Sequence, residues 1–129
     1  MKQMNKSTGN KGERAAAEML EQNGYEILAR NYRSKWGEVD IVAKFEIRSS
    51  KFEVERYMVF VEVKTKMGEK YGEPWEMIDH HKLQKVENMG HLWCEEYGWS
   101  GLCRIDVVGV WLDEAGEVAR IEHWENVQL

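Results

Sequence analysis

Glu38 and Asp40 alternate with Val39, Ile41 and Ala43, so a strand over these residues turns its acids to one face and its aliphatic side chains to the other. Phe60, Glu62 and Lys64 alternate in the same way against Val59, Val61 and Val63. If the two strands form an antiparallel hairpin whose loop centres near Lys51, paired positions sum to about 102, which sets Asp40 opposite Glu62. Two carboxylates about 5 Å apart at an effective dielectric of about 20 repel by roughly 3 kcal/mol. A favourable cross-strand pair returns only ~0.2–1 kcal/mol. A shared proton or a nearby lysine would relieve the repulsion, and a hard divalent cation relieves it best. Mg²⁺ binds through one or two carboxylates, keeps several waters and leaves room for a phosphate. Lys64 would bring its ammonium about 7 Å along the strand from Glu62, suited to hold or activate a water and to offset charge on a phosphorane-like transition state.

Such a pair needs a scaffold. Ala16, Ala17 and Leu20 share a helical face that predicts a first helix over about residues 10–23, with Thr8 or Asn10 as cap and Gly24 as stop. Glu13 lies on that face, so its carboxylate is expected to point at the sheet and to serve as a third oxygen ligand, direct or through water. Strands follow over Tyr25 to Tyr32, Glu38 to Ile47 and Val54 to Lys64, with a Ser49-Ser50-Lys51 turn between the last two. A polar loop from Thr65 to Trp75 leads to a second helix over Asp79 to Tyr97, capped by Asp79 and buried along Leu83, Val86, Met89 and Trp93. Arg104 to Leu112 and Val118 to Trp124 flank a hairpin signal at Asp113-Glu114-Ala115-Gly116. The order is αβββαββ, an α/β sandwich around a mixed sheet.

The 129 residues suit one domain: 43% are apolar, 32% are charged, and there is one Pro. That balance excludes collagen-like, mucin-like and fully disordered chains. No apolar run reaches the ~20 residues a bilayer span needs. Met1 to Gly12 is polar and basic without an apolar segment behind it; residues 1–9 are expected to be a flexible arm ahead of a single domain over 10–129, in the cytoplasm. Cys94 and Cys103 are read as thiols. The net charge of −5 hides a basic end, because residues 1–36 hold seven basic and four acidic side chains. Local potential, not the total, decides affinity for phosphate.

Gly37-Glu38-Val39-Asp40 and Val59-Phe60-Val61-Glu62-Val63-Lys64-Thr65 resemble the bipartite motif of the PD-(D/E)XK nuclease superfamily, with Asp40 as its first acid and Glu62 and Lys64 as its E-x-K. Gly12-Glu13, Gly24-Tyr25, Arg30-Asn31-Tyr32-Arg33, the Gly-Glu-Val-Asp turn, Lys82 and Arg104-Ile105-Asp106-Val107-Val108 look more narrowly like the bacterial YraN family of predicted endonucleases, related to archaeal Holliday-junction resolvases. The resemblance implies a restriction-endonuclease-like αβββαβ core with an extra C-terminal strand. It also implies Mg²⁺ or Mn²⁺ on Asp40, Glu62 and the Val63 carbonyl, with Glu13 assisting and Lys64 beside the nucleophilic water. Glu38-Val39 stand where the superfamily's name puts Pro ahead of the acid.

Arg30, Arg33 and Lys35 precede the acidic turn, Lys66 and Lys70 follow Lys64, and Lys82 lies on the buried stripe of the second helix; all are candidates for DNA phosphates. The same residues suit solvated loops or, for Lys82, a snorkelling stem. Arg104 and Asp106 share a strand face and are expected to form a structural ion pair. His80, His81, His91, Cys94 and Cys103 lack the paired spacing of a zinc site. Most of the six Trp, including Trp93 and Trp111, are expected in the core. The expected function is metal-dependent hydrolysis of DNA phosphodiester bonds, in branched or recombining DNA, for which a homodimer is a corollary. The rivals are a nuclease-fold DNA-binding or adaptor module without efficient turnover, and an interaction protein whose acids merely edge a sheet.

Overall fold

The computed structural model describes residues 6–68, 76 and 78–128. Its elements are α1 (Lys6–Gln22), β1 (Glu26–Ser34), β2 (Gly37–Arg48), β3 (Val54–Met67), α2 (His80–Tyr97), β4 (Leu102–Leu112) and β5 (Val118–Trp124). The strands form one sheet in chain order, antiparallel at every joint except β3 with β4, which run parallel. A parallel joint needs a crossover, and α2 is that crossover. The αβββαβ core and the added C-terminal strand are therefore as the sequence predicts. No helix among the described residues is long and apolar enough to cross a membrane.

Each helix covers one face of the sheet. Ala16, Ala17 and Leu20 of α1 pack on Ile41, Ala43, Val59, Val61, Val108 and Val110. Val86, Met89 and Trp93 of α2 pack on Val39, Val42, Met58 and Phe60. Side-chain alternation in β3 follows the expected phase, with Val59 and Val61 under α1 and Phe60 under α2. In β2 it does not. Val39 was expected on the face of Ile41 and Ala43, yet it packs with Val42 under α2. The phase breaks between Val39 and Ile41, across from Asn31 of β1, whose backbone is left-handed at φ 56°. A left-handed residue interrupts the pleat, and simple alternation fails on either side of it.

α1 starts at Lys6, earlier than expected, so Thr8 and Asn10 lie inside the helix instead of capping it. Of the expected arm, residues 1–5 lie outside the described residues. Gly24 does end α1: its φ of 91° is open to glycine, and Tyr25 N–H then returns to the Leu20 carbonyl at 3.0 Å. β3 runs on to Met67, which takes Thr65 and Lys66 out of the expected loop. Residues 69–75, with Lys70 and Trp75, lie outside the described ones. Asp79 caps α2 as predicted, its Oδ1 accepting from His81 N–H at 3.0 Å and Lys82 N–H at 3.3 Å.

Close approach sets both helices. A Cβ on Gly12 would lie 1.9 Å from Thr65 Oγ1, so only glycine lets α1 rest on β3 there and bring Glu13 against the sheet. A Cβ on Gly90 would lie 2.9 Å from two carbons of the buried Phe60 ring. Gly90→Ala gains about 1 kcal/mol of helix propensity. It is nevertheless expected to destabilise the protein by about 1–3 kcal/mol, because the ring has no free space into which to retreat. Chemical denaturation of Gly90→Ala in the parent and in a Phe60→Leu background checks this: the penalty should shrink in the second, and a Gly90→Ala protein more stable than its parent would refute the packing account.

Candidate active site

The β2–β3 ladder pairs Val42 with Phe60 and Ile41 with Val61 and then stops, while β2 stays with β1 as far as Gly37 and β3 stays with β4 as far as Met67. The strands part where the register, had it continued, would set Asp40 against Glu62. Backbone groups at a parting need other partners. Val63 N–H, facing the β2 side, donates to Asp40 Oδ2 at 2.8 Å. A strand residue turns its N–H and C=O toward the same neighbour, which aims the Val63 carbonyl at this gap too.

Glu62 is 5% exposed, and its buried Oε2 has no hydrogen-bond partner among the described residues. Its Oε1 lies 3.9 Å from Lys64 Nζ. Burial pushes the Glu62 carboxyl above its ordinary range; the ammonium groups of Lys82 and then Lys64 oppose that shift, while Glu38 and Asp79 add to it. The Asp40 carboxyl is pushed up to about 7, first by burial and then by the charge of Glu62, with smaller contributions from Glu13 and Glu38; only the Val63 N–H draws it down. The two acids are thus brought together, with Lys64 and Lys82 beside Glu62.

Glu13 arrives from the α1 side, 8% exposed as its helical position predicts. Its Oε1 accepts from Arg30 Nε at 3.3 Å and Asn31 Nδ2 at 3.0 Å, with Arg30 Nη2 at 3.2 Å. It acts on Asp40 through its charge, but among the described residues no three His, Cys, Asp or Glu side chains are grouped to hold one metal ion. Its carboxylate is held on the β1 side by Arg30 and Asn31. Arg30, read as a phosphate ligand, is thereby committed to Glu13. Arg33 pairs with Glu38 at 2.9 Å, and Lys35 lies over the Trp36 ring. Lys66 is half-buried two residues beyond Lys64.

Three residues near the pair were not singled out as site residues. Asn31 grips Glu13, and the signal for it is an amide in a strand, the side chain that best tolerates left-handed backbone. Glu38 bears on both acids. Asp79 does so on Glu62 while capping α2, its own carboxyl held low by the Lys82 N–H against a smaller effect of burial, with His81 N–H and Lys64 adding to the lowering.

The expected Arg104–Asp106 pair forms, buried and bidentate at 3.0 and 3.1 Å. Cys94 and Cys103 are thiols 3.5 Å apart, and burial pushes Cys94 up to about 12. Trp93 and Trp111 are buried, as expected.

The arrangement can take a cation. Mg²⁺ needs only one or two carboxylates from a protein and retains water for its remaining positions. A buried carboxylate oxygen with no partner among the described residues, near enough to a second acid for their charges to interact, is a donor set of that kind.

Without metal, the raised Asp40 pKa has a definite sign. The folded protein binds the proton more tightly than the unfolded chain, whose Asp titrates near 3.8. Asp40 therefore carries no penalty below about pH 4, and stability is lost as pH rises toward 7. Asp40→Asn keeps an acceptor for Val63 N–H and removes the charge. In EDTA, the fall in melting temperature from pH 5.5 to pH 8 should be smaller for Asp40→Asn than for the parent; equal falls would show that the fold does not raise the Asp40 carboxyl.

The chain was compared with known proteins. Residues 12–110 match the model of the uncharacterised protein family UPF0102. A UPF0102 protein of Pelotomaculum thermopropionicum is 39% identical over 122 residues, 94% of each chain. One of Moorella thermoacetica is 39% identical over 115 residues, 88% of each. One of Caldanaerobacter subterraneus subsp. tengcongensis is 35% identical over 129 residues, 98% of each.

Proposed function

Because this chain belongs to the UPF0102 family, whose description assigns no activity, we propose from its own site that it is a metal-dependent endonuclease acting on DNA phosphodiester bonds. The observation that carries the reading is the buried Glu62 Oε2, without a hydrogen-bond partner among the described residues, near an Asp40 carboxyl pushed up to about 7. A fold gains nothing by burying two repelling acids unless they bind something positive.

Asp40, Glu62 and the Val63 carbonyl would hold Mg²⁺ or Mn²⁺, which when bound neutralises the acids and supplies positive charge to a phosphate. The Val63 N–H fixes the Asp40 carboxylate, so one of its oxygens is oriented before any ligand arrives. Lys64, 3.9 Å from Glu62, is placed to orient the attacking water and to offset charge that builds on phosphate oxygens. Lys82 adds a second ammonium from the α2 side. Glu13, as auxiliary acid, acts on Asp40 at a distance while Arg30 and Asn31 hold it. Arg33, Lys35 and Lys66 are the remaining phosphate candidates, and resolution of a four-way junction would require two such sites, as in a homodimer.

A second reading, a nuclease-fold DNA-binding or adaptor protein without efficient turnover, is favoured by one observation: Glu13 is engaged by Arg30 and Asn31 and does not complete a three-acid site.

The test uses a plasmid, a single strand and a synthetic four-way junction, incubated with Mg²⁺ or Mn²⁺. Cleavage of at least one is expected, reduced about 10²–10³-fold by Asp40→Ala, Glu62→Ala or Lys64→Ala. Binding without products, unchanged in Glu62→Ala and Lys64→Ala, would favour the second reading. Cleavage unchanged by Asp40→Ala would remove the proposed centre.

A further inference from the structure

A large apolar side chain left in water at a hairpin tip needs a reason. Trp36 is 63% exposed, in the two-residue turn Lys35–Trp36 closed by the Ser34–Gly37 pair. The turn is tethered. Trp36 N–H donates to Ser34 Oγ at 2.9 Å, and the Ser34 hydroxyl donates to Met89 Sδ of α2 at 3.1 Å. A Cβ on Gly37 would lie 3.5 Å from Met89 Cγ and 3.8 Å from Lys85 Cβ, so the tip rests against α2. The indole is therefore presented from anchored backbone and not from a loose loop.

Its surroundings are cationic although the whole chain is acidic. Lys35 Nζ lies 4.8 Å from the Trp36 ring centre, Arg33 is exposed three residues earlier although paired with Glu38, and the exposed Lys85 brings its Cβ beside Gly37. An exposed aromatic ring among cations is the combination that binds unpaired nucleobases: the base stacks on the ring and the cations take its phosphates. Gly37 to Asp40 is three residues of strand, about 10 Å, within the reach of a few nucleotides.

We infer that Trp36 is a stacking platform for an unpaired base lying within a few nucleotides of the phosphate that a metal ion on Asp40 and Glu62 would engage. Bases inside a continuous duplex are already stacked on both faces, so the ring finds a partner only at a fork, a flap, a junction or a single strand. The residue thus discriminates for substrates with unpaired bases. This inference rests on the nucleic-acid reading of the site, and on nothing about turnover.

Binding in EDTA separates the two. Fluorescence anisotropy of a labelled single strand and a labelled fork, with a relaxed closed-circular plasmid as duplex competitor, is measured for the parent, Trp36→Ala and Trp36→Phe. The parent should prefer the strand and the fork. Trp36→Ala should weaken both by about tenfold to a hundredfold, shift plasmid competition by less than about twofold, and be largely rescued in Trp36→Phe. Equal losses on all three DNAs, or none on the fork, would overturn the inference and leave the endonuclease reading standing. If the parent binds no DNA in EDTA, the inference falls, and the endonuclease reading is decided by the cleavage test with Mg²⁺ or Mn²⁺. Discrimination by Trp36 in a protein that cleaves nothing would keep the inference and remove the nuclease.

Discussion

Everything at the candidate centre depends on two carboxylates being buried where two strands separate. Asp40 and Glu62 would be ordinary cross-strand neighbours if the β2–β3 ladder ran on, but it ends one pair earlier. The gap frees the Val63 N–H to hold Asp40, and one oxygen of Glu62 has no partner among the described residues. Burial and mutual repulsion then work in the same direction, both against the charged form. The fold tolerates this unfavourable arrangement because α1 and α2 pack the rest of the sheet on both faces.

A second buried acid in the same sheet shows what the first lacks. Asp106, fully buried, receives both arms of the Arg104 guanidinium, His123 Nε2 at 2.8 Å and Asn126 N–H at 2.9 Å. Burial alone would raise its carboxyl, yet the His123, Arg104 and Asn126 hydrogen bonds hold it below the ordinary range. Arg104 in turn lies against the rings of Tyr25, Phe45 and Tyr57 and donates to the Tyr25 hydroxyl. Every partner of Asp106 is supplied from within the chain, tying β4 to the start of β1 and to the segment after β5. That is how a structural acid looks when satisfied. Glu62 departs from it in the respect that matters for binding a ligand.

Much of this centre was legible before any coordinates. The position sum near 102 holds along the β2–β3 ladder, because a hairpin's register follows from its loop and its alternating pattern. The Asp79 cap, the buried stripe of α2 and the Arg104–Asp106 pair likewise follow from short-range rules. The misses are non-local: Val39 changes faces across from the left-handed Asn31, and Glu13 is taken up by Arg30 and Asn31, both outcomes set by neighbours across the sheet. α1 runs through Thr8 and Asn10 because both side chains can cap or propagate a helix.

Residue type and spacing alone determined which side chains could carry charge chemistry, which strands would bear them and that Asp40 would meet Glu62, since each is a matter of periodicity and chain connectivity. Tertiary structure decided where β2 leaves β3, which oxygen is left unpartnered, that Glu13 is held by β1 and that an indole stands in water at the hairpin tip. Those outcomes depend on which donors from distant parts of the chain arrive at a given atom, and no local pattern encodes that competition.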